Sequence, residues 1–302
     1  MATSPSLFYQ TIFANWAKLA YQGTGKLRNV VRQQVSAAQN ATFFQMNSFE
    51  LSDRGNLGSA LPAANQTGNK VVTDVHWWAS QYPLAREIQN GTISFDLLLY
   101  VTQNMMYAQQ RREDRLIIDA CYLAESDPTN PIPASNIITS ATPATAFTSD
   151  TLRKIDMICS AKGIDKSRGA VVLGAYEAYT LLGDTQVTSI LTNETKPLTN
   201  GVVANFMGFN IIVMPDNSAI TSAGSFGPGS LPFDISTPTA PVRTCYYINF
   251  DAVILHQQYL QTYAYFAGTH NTDLTALDYG ADAKALDPNG IIVIKCTEPA
   301  IS

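Results

Sequence analysis

Charge is scarce in this 302-residue chain: Asp, Glu, Lys and Arg make up 14% of it, against about a quarter in an average soluble domain. With 46% hydrophobic residues the chain buries a large core and is no disordered polymer, and so little charge implies that much of its surface does not face water. Cysteine is also sparse. Cys121, Cys159, Cys245 and Cys296 stand far apart in apolar surroundings with no C-x-x-C pair, so packed, reduced thiols in a cytoplasmic setting are expected rather than a disulfide framework. Histidine occurs three times, as His76, His256 and His270, without metal-ligand spacing and without an H-E-x-x-H motif. No run approaches the roughly eighteen apolar residues that cross a bilayer, and the start of the chain lacks a secretory leader's basic and apolar regions. The four N-x-Thr triplets therefore carry no glycan.

Catalytic signatures are missing too. Gly23 to Leu27 superficially resembles a phosphate loop, but Ala20 stands where its first glycine belongs and Leu27 replaces the required Ser or Thr. The Gly224 to Gly229 segment contains no G-x-S-x-G nucleophile elbow. Paired carboxylates assemble only in three dimensions, and nothing in the spacing recommends a pair. The expectation is no cofactor, no metal and no enzyme activity.

What is present is organised along the chain. Net charge is -5, which argues against a dedicated DNA-binding protein, but its distribution is uneven. Residues 1–40 hold Lys18, Lys26, Arg28 and Arg32 with no acid, whereas residues 251–302 hold six acids against Lys284 and Lys295. Residues 5–22 place Phe8, Ile12, Trp16 and Leu19 on one helical stripe. Residues 22–69 lack helical periodicity yet carry Phe43, Phe44, Met46, Phe49 and Leu51, too apolar for a linker and too long for an ordinary loop. Lys70 to Trp78 alternates as a strand, with Phe43 to Leu51 as its hairpin partner. Phe95 to Leu123 then runs as one long helix without glycine or proline, carrying Arg111, Arg112, Glu113, Asp114 and Arg115 near its middle. A solvated charged face would explain that cluster; so would contact with another copy.

The prolines of Asp127 to Pro133 stop the helix, and a boundary is expected near Ser140. Beyond it come a helix at Asp150 to Lys162, a buried strand at Ala170 to Leu173, a helix at Ala175 to Leu182, and a hairpin of Val202 to Met207 and Phe209 to Met214 turning near Gly208. Pro215 to Cys245 reads as an exposed loop. Asp251 to Gln258 reads as helix, Leu260 to Ala267 as an aromatic strand, and Ile291 to Lys295 as a buried terminal strand.

The order of these parts resembles the major capsid proteins of tailed bacteriophages of the Hong Kong 97 type. Tyr107-Ala108 through Arg111-Arg112, Asp114 and Ile117 to Ala120 is similar to the family's spine helix, Gly201-Val202 through Phe206 to Ile212 to its axial-domain strand, and Asp278-Tyr279-Gly280 to the stretch before its last strand. The resemblance covers nearly the whole chain. It implies an α+β fold with an N-terminal arm (1–42), an extended loop (43–92), a peripheral domain with the spine helix (93–140), an axial domain (141–264) and a return to the peripheral domain (265–302). It also implies self-assembly as hexamers and pentamers into an icosahedral shell around double-stranded DNA, in a virion assembled in the cytoplasm of a bacterial host.

Under that resemblance Phe43, Phe44, Phe49, Trp77, Trp78, Arg111, Arg112 and Glu113 are expected at subunit contacts, while Lys26, Arg28 and Arg32 are expected to face packaged DNA. Ordinary packing inside one subunit is the competing explanation for the aromatics. The body begins within about forty residues of Met1, so a separate scaffolding protein is expected, with a portal as a further partner, decoration proteins as optional ones, and no membrane. Lys70 is the only lysine near the loop, and cross-linking through it is not expected. Two alternatives stand beside this: a cytoplasmic α/β enzyme with a pocket between residues 141 and 264 under the proline-rich segment, and an encapsulin-type compartment shell on the same fold.

Overall fold

A computed structural model describes residues 25–46, 68–85, 94–139, 147–184, 198–199, 202–203, 205–215, 231–234, 241–267 and 272–298. The expected helix at 5–22 and Phe49 lie outside these residues, as does most of the proline-rich 215–245 segment. The long helix, α1, spans Ser94–Glu125, 32 residues, or about 48 Å. Its inward stripe steps by four residues through Val101, Met105, Gln109, Glu113, Ile117 and Cys121, all buried. Both halves of the stripe are apolar, and its centre is polar. After the helix, Ile132 N–H returns to the Ala124 carbonyl at 2.9 Å, so the proline-rich turn folds back on the last helical turn.

Two sheets flank this strut. Strands β1 (Arg32–Val35), β2 (Asn40–Met46), β3 (Gly68–Asp74) and β4 (His76–Ala85) precede α1, and β5 (Ile137–Thr139) follows it. Next come α2 (Ser149–Ala161), β6 (Gly169–Leu173), α3 (Ala175–Gly183), the short β7 (Leu198–Thr199), β8 (Val202–Val203) and β9 (Asn205–Phe206), and β10 (Phe209–Val213). The chain ends through β11 (Phe233–Asp234), β12 (Val242–Asn249), β13 (Val253–Ala267), β14 (Thr272–Ala285) and β15 (Ile291–Thr297). The first sheet has the order β1-β13-β14-β4, and α1 packs Val101 and Met105 on its Leu277, Tyr279 and Ala281. The second has the order β5-β15-β12-β6-β10-β9, with β11 paired to β12.

The expected strand at Lys70 to Trp78 divides at Val75. Residues before it pair with β2, Phe43 opposite Val71, and residues after it pair with β14, Trp77 opposite Gly280. The hairpin at 205–213 turns through Met207 and Gly208, both with positive φ (55° and 80°), the handedness that a two-residue hairpin turn demands.

The expected helix at Asp251 to Gln258 is corrected: from Val253 this segment is the start of β13, and Val253 to Gln257 pair with Ala285 to Ala281 of β14 while β1 covers the other edge. A strand flanked on both edges and buried from Val253 to His256 shows no alternation, and its apolar run imitates a helix face. The same effect hid β12, whose Arg243 to Ile248 are all buried. Residues 253–267 thus lie in the sheet under α1, although the sequence boundaries put 253–264 with the axial unit. Within 265–302, β14 stays in that sheet whereas β15 joins the other one. Asn136, fully buried, fixes this last exchange by donating Nδ2 to the carbonyls of Asn289 (2.9 Å) and Ile291 (2.8 Å).

Candidate functional site

The polar centre of α1 is occupied by the chain's own arm. Leu27, fully buried, anchors it apolarly. Around it, Asp114 accepts the backbone N–H of Lys26 (3.1 and 3.0 Å) and of Leu27 (2.9 Å), and Gln110 Oε1 accepts that of Gly25 (3.1 Å). A side chain at Gly25 would put its Cβ 2.7 Å from that of Gln110, so glycine sets how closely arm and helix approach. One helical residue earlier, Glu113 accepts from Arg28 (3.0 Å), from Gln109 Nε2 (3.0 Å) and from the Tyr279 hydroxyl (3.0 Å). Arg28 also donates to Gln33 and Gln257, both at 3.2 Å.

Glu113 is 1% exposed and Asp114 2%. Within the subunit the arm of its own chain covers the Glu113 carboxylate, which was expected at a subunit contact. Arg112 instead lies over the Trp78 ring, 5.0 Å from its centroid, and Arg115 pairs with Asp119 one turn on at 2.9 Å. Arg111 is partly exposed on the same helix.

Burial pushes the Asp114 carboxyl up from an ordinary 3.8 to about 6, against the opposing N–H groups of Leu27 and Lys26. A carboxyl whose pKa is raised by folding stabilises the fold in its protonated form. That contribution is complete below about pH 4 and is lost as the pH rises through about 6, a change on the order of 2–3 kcal/mol. Urea unfolding of the unassembled subunit across this window should show wild type losing stability relative to Asp114→Asn as pH increases. Equal slopes in the two proteins would contradict the assignment.

A second arm contact gathers around His256, which is fully buried in β13. Its Nε2 shares a proton with Ser36 Oγ (2.8 Å) just after β1, and its Nδ1 with Thr73 Oγ1 (2.9 Å) in β3. Burial lowers its pKa, with Asp282 opposing, and Asp282 in turn accepts the Asp74 N–H at 2.9 Å. Arm, loop base and sheet are thus tied by one uncharged imidazole. Phe43 lies edge-on to this ring at 6.2 Å.

The other expected aromatics divide by face. Register places Phe44 and Val72 on the side of the β2–β3 ribbon opposite Phe43, 69% and 45% exposed. Trp78 stacks toward Tyr279 under α1 (6.2 Å). Trp77 points the other way, 54% exposed, against Tyr259 at 5.5 Å across Gly280. Of the three expected DNA-facing bases, Lys26 donates Nζ to the Val213 carbonyl at 2.6 Å, Arg28 is held as described, and Arg32 is exposed on β1, the sheet's outer strand.

Sequence reading missed Asp114 as an arm anchor, His256 as a joint, and Arg243. The last is buried on β12 between Glu298 near the chain's end and Glu177 of α3 (3.9 Å), with the Phe233 ring 4.4 Å from its guanidinium. A signal for the first existed: a polar interruption of an otherwise apolar four-residue stripe marks buried acids that need donors from elsewhere.

This geometry does not assemble catalytic machinery among the described residues. Among the described residues, an open cavity of about 320 Å³ lies beside Asn29, Ser167 and Arg168, but the Ser167 hydroxyl is donated to Asp165 at 2.7 Å and Arg168 pairs with Asp251 at 3.0 Å. What the site provides is a docked arm, a ribbon that exposes Phe44 and Val72 on its outward face, and an aromatic pair, Trp77 and Tyr259, on an open sheet.

The fold is similar to that of solved virus capsids. The chain is similar to the capsid structure of cyanophage P-SCSP1u (14% identity, TM-score 0.65, covering 97% of this chain and 94% of that one). It is also similar to the capsid of Ralstonia phage GP4 (11%, 0.65, 95% and 94%) and to a Mycobacterium phage Che8 chain (14%, 0.61, 92% and 94%). At such identities the likeness establishes the fold, of the Hong Kong 97 type and α+β as expected. No curated protein matches by sequence. The family model described as phage capsid protein, however, matches residues 6–298. Neither the enzyme nor the compartment-shell alternative gains support. With a family match over nearly its whole length and this fold beneath it, the chain belongs to the phage capsid protein family and is a major capsid protein, a structural subunit of the virion shell.

Proposed function

We propose that copies of this chain assemble as hexamers and pentamers that close an icosahedral shell around double-stranded DNA, formed in the cytoplasm of a bacterial host with a separate scaffolding protein and a portal, decoration proteins being optional. The observation that carries this reading is the pairing of an arm tied down on its own spine helix with a ribbon face on which Phe44 and Val72 stay exposed. Phe44 and Val72 on the ribbon and Trp77 with Tyr259 on the sheet expose large apolar side chains close to the loop, as an obligate interface requires. The low charge of the chain has the same cause. In this reading α1 with the four-stranded sheet forms the peripheral unit and the seven-stranded sheet the axial one, with residues 1–42 as arm and 43–92 as extended loop. Phe49, Arg111 and Arg112 are kept as further contact candidates.

DNA contact is non-specific and electrostatic. Arg32, exposed on the outer strand, is the strongest of the three basic candidates, because Lys26 and Arg28 already serve the arm. Electron microscopy of the purified protein, alone and with virion components, tests the reading, closed shells or capsomers being expected and a stable lone subunit under both conditions overturning it. Trp77→Ala and Phe44→Ala should leave the unassembled subunit folded, with stability changed by less than about 1 kcal/mol, while sharply reducing shell yield. Normal shells from both variants would return these side chains to ordinary surface.

A further inference from the structure

Glu177 on α3 and Cys245 and Cys296 on neighbouring strands β12 and β15 converge away from every surface invoked so far. We propose that these three side chains form a binding site for a divalent, thiophilic metal ion of the zinc class, which pins the terminal strand and α3 to the centre of the seven-stranded sheet.

The register of the sheet explains the convergence. Arg243 lies opposite Cys296 and Cys245 opposite Ile294, so both sulfurs and Arg243 project from one face, and α3 lays Glu177 over it. The two sulfurs and a Glu177 oxygen lie within 4.8 Å of one another, and all three residues are buried. A tetrahedral ion bound at about 2.3 Å to sulfur and about 2.0 Å to oxygen draws such donors slightly closer, which rotamer adjustments supply. Three protein donors leave its last position to a water. Two thiolates with one carboxylate favour a borderline-soft ion over calcium or magnesium, which take oxygen ligands.

A disulfide fits less well. The cysteines are diagonal rather than directly opposed, and diagonal positions stand about 7–8 Å apart, at or past the Cα separation a disulfide spans. Both thiols are free.

Charge does not oppose an ion. Arg243 faces two carboxylates, Glu177 and Glu298, so the buried group already carries one excess negative charge. On binding, two S–H bonds break, two metal–sulfur bonds form and two protons leave to solvent, with no electron transferred. A doubly charged ion therefore replaces two protons, and the buried charge is the same before and after. Because the site is enclosed, the ion enters while β15 is still undocked, during folding.

The test uses the full chain produced in zinc- or cobalt-supplemented medium, dialysed, and assayed by atomic emission. One zinc ion per chain is expected, and the cobalt form should show sulfur-to-cobalt charge-transfer absorption. Cys245→Ser and Cys296→Ser should lose both signals, and Cys121→Ser should keep them. Glu177→Gln, a milder change that retains the fold, should weaken zinc retention against a chelator by about tenfold or more. Wild type without stoichiometric metal, undiminished metal in folded Cys245→Ser, or full-strength retention in Glu177→Gln would each overturn the site.

Discussion

Replacing Arg243 with methionine should destabilise the subunit by about 3–5 kcal/mol, enough to abolish shell formation at growth temperature. Arg243 is 7% exposed and stands between Glu177, itself fully buried, and Glu298 at 8%. The Arg243–Glu298 contact joins β12 to the residue after β15, and the Glu177 contact reaches α3. The guanidinium further stacks on Phe233 of β11, at 4.4 Å. Without the guanidinium, two carboxylates face each other in low dielectric, and one must take up a proton before the fold can close. The loss should therefore shrink on acidification, which urea unfolding at acid and neutral pH would reveal. Combining Arg243→Met with Glu177→Gln and Glu298→Gln should recover much of the stability, because the net worth of a buried ion group is small compared with the penalty for breaking it. A single Arg243→Met substitution costing under about 1 kcal/mol would show that water reaches the group.

Loss of Glu113 should be nearly as severe and should act on the arm. Its carboxylate is the common acceptor for Arg28, Gln109 and Tyr279. Gln109 is 3% exposed and Tyr279 1%, so Glu113→Ala strands two buried donors at about 1–3 kcal/mol each. Arg28, with 39% of its side chain exposed, simply rehydrates. The expected total is about 2–4 kcal/mol once relief from burying the carboxylate is counted. Glu113→Gln keeps an acceptor for Tyr279 and should cost about half as much. Since Arg28 is part of the arm, trypsin should cleave after Arg28 faster in Glu113→Ala than in wild type. Unchanged cleavage alongside lost stability would mean that Asp114 and Leu27 hold the arm without Glu113.

Both predictions concern residues whose importance the linear chain only half displays. The strut, the strand at Lys70, the helices at Asp150 and Ala175, the turn at Gly208 and the terminal strand were legible, because each carries its own signal: a period, a breaker, or a short apolar run bounded by glycine. The order of these parts also sufficed to reveal the family. Elements buried on both sides were illegible. Val253 to His256 and Arg243 to Ile248 are buried on both faces, so their side chains show no alternation and periodicity says nothing about type.

The charge cluster on α1 divides in the same way. Its existence, and that something must meet it, followed from sequence alone: charges that interrupt an apolar stripe cannot be buried without partners. Which partner could not follow, because Lys26 and Asp114 are 88 residues apart and Glu113 and Tyr279 are 166 apart. Only the tertiary structure brings the arm across the spine and turns Glu113 and Asp114 inward. The local pattern of the chain thus determined the elements and their order, while long-range proximity decided which polar groups are neutralised inside the subunit and which apolar ones stay exposed on it.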